Sequence, residues 1–289
     1  MTPLEDMAQR MHHLVAMSPV RARLLQCLSQ EDPDTVQITE WVEKDPAIAA
    51  RVLRLANSPF FGLPHEVESI AHAVSLVGLR SLQSLALAAA VMEQFKTTDS
   101  ALESAHRAHW RHSVAVAVCA QGLARKARVA VDTAFTAGLL HNLGRLVMLT
   151  IDPARQWKVR EQCRQALGVA ENAVDVEALR LQTEQAVWGF DHGQVGEMLA
   201  RHWQLPESLR RCMALHHRCD DPEANTLVWL VHVAHSLAHA LDLLQEPEDQ
   251  VPVIQAAAWE GLRLDWSDSR SLLSGIEERY QLACQQLMS

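Results

Sequence analysis

The stretch Phe135-Thr-Ala-Gly-Leu-Leu-His141-Asn142-Leu-Gly144 carries the pattern that decides the fold. It is an apolar, helical segment that ends in two adjacent polar residues, His141 and Asn142. A His followed by Asp at such a place would offer a divalent metal one imidazole nitrogen and one anionic oxygen. Here the second residue is a neutral amide. The segment is therefore typical of a metal-dependent hydrolase, but its chemistry is weakened.

The sequence around this stretch is helical in pattern almost throughout. Apolar residues recur at three- and four-residue steps between residues 224 and 244, which is typical of one buried helix face. Residues 78–91 are apolar on most faces and predict a central buried helix. Asp45-Pro46 and Asp221-Pro222 each place an N-cap residue before a proline in the first helical turn. The sequence predicts an all-α protein.

A short polar stretch at residues 96–100 divides the chain into two predicted lobes, which we expect to pack as one unit. The first helical lobe is expected in residues 1–98. The second, in residues 99–245, carries most of the candidate site histidines. A second polar point at residues 245–250 precedes a predicted C-terminal helical extension in residues 246–289.

Composition restricts the classes of protein that fit the chain. Its 289 residues are 48% hydrophobic and 21% charged, which is typical of a folded globular protein. No apolar run approaches the ~20 residues of a membrane span, so no membrane partner is expected. Six scattered cysteines without a C-x-x-C pair indicate a reduced, cytoplasmic protein. The net charge of -9 repels a polyanion and disfavours nucleic-acid binding.

The 15 histidines supply the candidate site. Four predicted helices each offer a histidine at the end of an apolar pattern, which is how helical metal hydrolases assemble a site. These histidines are His112, His141, His192 and the pair His216-His217. The alternative for each is a core histidine bonded to backbone. Likewise Asn142 could cap or bridge backbone, and His235 and His239 could flank the apolar stripe of their helix.

Several motifs occur in the order typical of one family. They are Asp45-Pro46-Ala leading to Asn57-Ser58-Pro-Phe-Phe-Gly62, the run from Ile70 to Gly78, Gly138-Leu-Leu-His141-Asn142-Leu-Gly144, Trp203-Gln-Leu-Pro206, and His216-His217. In combination they resemble the HDOD family, the signal-output branch of the HD metal-dependent phosphohydrolase superfamily. The resemblance extends from about residue 10 to 245, and the tail is similar to the family's usual helical extension.

The resemblance implies a two-lobed helical domain with an HD-like second lobe, found in bacterial signalling proteins and regarded as mostly non-catalytic. By analogy with catalytic HD relatives, it also implies a degenerate metal site. The implied ligand positions are His112, His141, Asn142, His192, His216 and His217. His235 stands where those relatives usually supply a further Asp, so both expected acidic ligands are absent.

A dinuclear Mg, Mn or Fe centre brings about +4 of charge and depends on carboxylates to offset it. Imidazoles and one amide provide no negative charge, so we expect no dinuclear centre and no resident cofactor. One Zn, Ni or Cu ion remains compatible with imidazole ligands. Asp191, beside His192, is the nearest sequence candidate for a compensating carboxylate.

Two functions remain open. The favoured one is a non-catalytic signal-output module that binds a protein partner or a small ligand, such as a nucleotide, in the residual cavity. The rival is an HD-type metal-dependent phosphohydrolase or phosphodiesterase acting on a nucleotide or cyclic dinucleotide. The rival needs bound metal and a basic residue near the cavity, for which Arg111, Arg145 and Arg201 are candidates by proximity in sequence.

Overall fold

The computed structural model describes residues 2–16, 18–28, 30, 34–57, 67–168, 175–245, 250–263 and 273–288. Over these ranges the chain forms α-helices and no β-strand, which confirms the all-α prediction. The loop part of the first family motif, residues 58–62, lies outside the described residues. So do residues 246–249 of the second polar point.

The first six helices are α1 (Pro3–Leu14), α2 (Pro19–Leu28), α3 (Thr35–Glu43), α4 (Pro46–Ala56), α5 (Ile70–Val77) and α6 (Leu79–Gln94). Helices α2 to α5 pack around α6, as the apolar run at residues 78–91 predicts. Helix α6 contacts α2, α3, α4 and α5, and its residues from Leu85 to Met92 are all buried. Asp45 accepts hydrogen bonds from the amides of Ala47 and Ile48, so the predicted N-cap of α4 is present.

The remaining helices begin with a long one, α7. They are α7 (Ser100–Ala124), α8 (Val131–Leu140), α9 (Leu143–Ile151), α10 (Pro153–Gly168), α11 (Val176–Trp188), α12 (His192–His202), α13 (Glu207–Leu215), α14 (Thr226–Ala240), α15 (Ala256–Leu262) and α16 (Ile276–Leu287). Helix α7 contacts α8, α14 and α16. The helix start predicted at Asp221-Pro222 is wrong. Asp221 closes a turn onto the amide of Glu223, and Asn225 caps α14 instead.

Two glycines allow helices of the second lobe to approach closely. A Cβ on Gly138 would lie 2.6 Å from Cα of Ala117 in α7. A Cβ on Gly144 would lie 1.9 Å from the carbonyl oxygen of His192 in α12. Gly138 and Gly144 therefore allow α8 to lie close to α7 and α9 to lie close to α12. This close packing brings candidate site residues together.

The stretch Val131–Ile151 has the length and hydropathy of a membrane span, so the expectation that no apolar run approaches that length is wrong. It comprises α8 and α9, and 83% of its apolar window is buried inside the protein. Burial of this kind is also found in the core helices of folded domains, and here the stretch positions His141 and Asn142 at the centre of the lobe.

Contacts join the two halves of the chain. Helix α1 packs on α9 and α12, while α16 contacts both α4 and α7. Trp203 meets Phe95 edge-on at a centroid distance of 6.2 Å, consistent with a packing role for this tryptophan. At the end of α4, the Asn57 side chain bonds both backbone groups of Val67.

Candidate metal centre

Seven histidines on or beside helices α7 to α14 form one continuous cluster. Neighbouring ring centroids lie between 4.2 Å (His216 to His217) and 5.7 Å (His141 to His235). The members are His112 on α7, His141 after α8, His192 at the start of α12, His216 and His217 after α13, and His235 and His239 on α14. The structure thus brings together all five histidines singled out from the sequence.

Hydrogen bonds fix the tautomers of three of these histidines. Nδ1 of His141 donates to the carbonyl of Gly138 (2.6 Å), and Nδ1 of His216 donates to the carbonyl of Cys212 (3.1 Å). Nδ1 of His192 donates to the Glu184 carboxylate (2.7 Å). These partners only accept, so each ring, when it is neutral, carries its lone pair on Nε2.

The three Nε2 lone pairs are directed into the cluster rather than toward donors. Nε2 of His192 lies 3.3 Å from Nε2 of His216, so in the neutral pair two acceptors face each other. Among the described residues, Nε2 of His141 has no hydrogen-bond partner. Burial, followed by the neighbouring histidines, lowers the pKa of His141 and His216 well below the usual value, so these two rings remain neutral.

Facing lone pairs are what a shared cation requires. Two nitrogens bound to one tetrahedral zinc ion at 2.0–2.1 Å lie about 3.3 Å apart, which matches the His192–His216 separation. Three groups in the described part of the chain hold ligand atoms within 4.8 Å of one another. They are His112, His141 and His235; His192, His216 and His217; and Glu177, His217 and His235.

Two buried carboxylates on α11 also enter this cluster, and neither was predicted from the sequence. Glu177 Oε1 lies 3.5 Å from Nε2 of His235, and its Oε2 lies 3.5 Å from Nε2 of His217. Glu184 Oε2 accepts from both the backbone N–H and Nδ1 of His192. The expectation that the site lacks negative charge is therefore wrong.

Both carboxylates are held in the charged form. Burial raises the pKa of Glu177, but Arg180 and His217 lower it more, so the pKa lies well below its usual value. For Glu184, burial is likewise outweighed, chiefly by His192, and the pKa is lowered. The two residues lie two helical turns apart on one face of α11. That spacing places them on the same face of the helix, but it does not show whether the face turns inward.

Asp191 does not act as the compensating carboxylate that its position beside His192 suggested. It is the N-cap of α12, accepts from the Gln194 amide (3.0 Å), and forms an ion pair with Arg218. An N-cap side chain is directed at the amides of its own helix, so proximity along the chain was misleading here.

Asn142 is buried, with 1% of its surface exposed, at the N-cap position of α9. Its side chain makes no capping bond, and its Oδ1 has no hydrogen-bond partner among the described residues. The capping alternative is therefore wrong. His235 is also inside the cluster rather than beside the apolar stripe, and burial lowers its pKa to about 4.

His232 is a core histidine with a hydrogen-bond partner for each ring nitrogen. Its Nδ1 donates to the carbonyl of His216 (2.8 Å), and its Nε2 accepts from the backbone N–H of Gln255 (3.0 Å). The Gln255 side chain in turn donates to the carbonyl of His217 (2.7 Å) and accepts from the amide of Cys219 (2.8 Å). Gln255, at the N-cap of α15, thereby holds the turn that carries two cluster histidines.

A cleft of about 230 Å³ opens from the cluster toward the surface. Its charged and polar lining includes Arg145, Arg160 and Arg180 together with His112, His109, His239, Asn142 and Glu177. Of the arginines predicted to serve the site, only Arg145 is in this lining. Arg111 bonds Tyr280 and the carbonyl of Leu244, and Arg201 pairs with Glu197 at the surface.

The family model of the HDOD domain matches residues 14–219. An uncharacterised protein of Treponema pallidum (strain Nichols) is 28% identical over 257 residues, which cover 84% of this chain but only 42% of that protein. The chain therefore spans less than half the length of this relative.

Solved structures share the fold. An HDOD domain protein of unknown function from Geobacter sulfurreducens has a TM-score of 0.69 at 22% identity, over 98% of this chain and 99% of that one. A candidate phosphohydrolase from Shewanella amazonensis SB2B has a TM-score of 0.74 at 24% identity, over 97% of both chains. The family match over more than half of its length shows that this chain belongs to the HDOD family.

Proposed function

We propose that this protein is a signal-output module that acts by binding rather than turnover, and that its histidine–glutamate cluster holds transition-metal ions. The observation that carries the proposal is the convergence of Nε2 lone pairs from His141, His192 and His216, each fixed by an acceptor at Nδ1. Pure packing would not require such an arrangement, and it is costly unless a cation is shared.

The residues present fit a metal of intermediate softness. One set of ligands would be His112, His141 and His235, and a second His192, His216 and His217. Imidazole-rich sites favour Zn, Ni and Cu over Mg, Ca and Mn. Glu184 would orient His192 and increase its basicity, as carboxylates behind metal-bound histidines do.

Binding without turnover is supported by Asn142 and His235, which stand where catalytic relatives supply carboxylates. A bound metal would supply Lewis acidity and an activated water in a hydrolase. Fewer anionic ligands leave less charge to hold hard ions such as Mg²⁺ or Mn²⁺ for that chemistry. The module would then transmit a state by binding a protein partner or a small anionic ligand at the cleft.

A metal-dependent phosphohydrolase is the second candidate. Two adjacent ligand groups with Glu177 close to a histidine of each favour it, as do the arginines in the cleft. A dinuclear centre carries about +4 of charge, and the two buried glutamates would offset about half of it. The argument against two bound ions is weaker for that reason.

Metal content measured by mass spectrometry on untagged protein tests the proposal. We expect near-stoichiometric transition metal in the wild type and its loss in His192→Phe. His106→Phe is the matched control, since it removes a buried histidine that bonds Phe95 and Thr150 outside the cluster. Metal-free wild type that also fails to take up added Ni²⁺ or Zn²⁺ would overturn the proposal. Hydrolysis of a generic phosphodiester by the metal-loaded protein would favour the second candidate.

A further inference from the structure

The cleft above the cluster carries a concentration of positive charge from three different helices. Arg145 comes from α9, Arg160 from α10 and Arg180 from α11, and all three line the same 230 Å³ space. Glu177 is the one acidic side chain in this lining within the described part of the chain. Guanidinium groups arranged around a small cleft are suited to a tetrahedral oxyanion such as phosphate or sulfate.

Glu177 belongs to both the cleft and the buried cluster. Toward the cleft, its Oε2 lies 3.3 Å from Nε of Arg180. Toward the cluster, its two oxygens each lie 3.5 Å from a histidine Nε2, on His217 and on His235. The Glu177 side chain is 8% exposed and that of Arg180 is 25% exposed, so their attraction is only partly screened by water.

The single carboxylate of Glu177 cannot fully offset the charge of both Arg180 and a cation held by the histidines. If Glu177 offsets the charge of a cation held with His217 and His235, less of its charge remains for Arg180. Arg180 would then lie near a positively charged centre that repels it, and its guanidinium would gain by turning to an anion in the cleft. Conversely, an anion that draws Arg180 away leaves Glu177 available to the cluster.

We propose that the arginine cleft is an oxyanion site and that exchange of Glu177 between Arg180 and the cluster couples anion binding to metal loading. The inference rests on the proposed metal binding and adds to it a positive, reciprocal linkage between two ligands. The coupling would make the cleft competent for its ligand chiefly when the centre is loaded.

Titration calorimetry with sulfate as the probe, on the full chain with and without bound Ni²⁺, tests the coupling. We expect Ni²⁺ to tighten sulfate binding by about tenfold, within the usual range of allosteric coupling. In Arg180→Gln, Ni²⁺ should bind more tightly than in wild type, because a competitor for Glu177 is gone, and sulfate affinity should no longer depend on Ni²⁺.

Arg160→Gln is the matched control from the same cleft. It should weaken sulfate binding equally in the presence and absence of Ni²⁺. The ratio of the sulfate affinities with and without Ni²⁺ should therefore stay as in wild type. Wild type that binds Ni²⁺ but has the same sulfate affinity in both states would overturn the coupling while leaving the metal proposal standing. Retention of the tenfold ratio in Arg180→Gln would overturn the role of Arg180. Wild type that binds no Ni²⁺ would overturn both proposals together.

Discussion

Replacement of Gly144 by alanine tests whether the spacing of α9 and α12 builds the centre. The added Cβ would lie 1.9 Å from the carbonyl oxygen of His192 and 2.7 Å from the backbone nitrogen of Gly196. Since real contacts of this kind stay above 3.0 Å, the two helices must separate by about 1.1 Å. The shift would displace His192, whose Nδ1 is 2.7 Å from Glu184.

The size of the effect follows from these contacts. Overpacking of a core costs about 1–3 kcal/mol, and weakening a hydrogen bond to a charged group costs about 1.5–3 kcal/mol. For a chain of this size, each kcal/mol lowers Tm by about 2–4 °C, so a fall of roughly 10 °C is expected. Calorimetry would measure Tm, and Ni²⁺ titration would show weaker binding because His192 has moved.

Gly168→Ala is the control for Gly144→Ala. Gly168 ends α10, and a Cβ there would meet nothing within 4 Å, so the change should be neutral or slightly stabilising. If Gly144→Ala melted within 2 °C of Gly168→Ala and bound Ni²⁺ as wild type does, the reasoning from close approach would be refuted.

Three further predictions concern charge in the centre. The pKa of His235 is lowered to about 4 from 6.5, so as pH falls through this range the unfolded chain takes up a proton that the folded protein does not. The free energy of unfolding of the metal-free protein should therefore fall by about 1.4 kcal/mol per pH unit between those values. Equal urea midpoints at pH 7 and pH 5 would contradict this. Glu184→Gln should weaken Ni²⁺ binding by about 10–100-fold in titration calorimetry, because His192 loses a charged partner; unchanged affinity would show that Glu184 is only structural. Asn142→Asp should strengthen Mn²⁺ binding, measured by electron paramagnetic resonance, because it adds an anionic oxygen; identical Mn²⁺ spectra in both proteins would argue that position 142 does not face the ion.

The sequence was a good guide to the helices and to the histidines that they carry into the site. Amphipathic spacing, caps and the family motifs are local patterns, and they placed His141, His192 and His216 on separate helices correctly. The rings were expected to converge only because of the family resemblance. No spacing along the chain relates α8, α12 and α13 to one another in space.

The carboxylates could not be located in the same way. Glu177 and Glu184 lie on a helix of ordinary amphipathic composition, and only the packing of α11 across the lobe turns them inward. Asp191 shows the opposite error, because a residue next to a histidine in sequence became a helix cap. The net charge of a site thus depends on the tertiary structure. Counting only the charged residues within the sequence motifs underestimates the negative charge of this site.

Gln255 gives the C-terminal part of the chain a direct connection to the centre. Its backbone N–H bonds His232, and its side chain bonds the carbonyl of His217 and the amide of Cys219. Gln255 is also the N-cap residue of α15. Ligands that rigidify the His216-His217 turn should therefore slow amide hydrogen exchange at the start of α15, although α15 contributes no side chain to the cluster. A segment that lies outside the site would in this way report whether the site is loaded.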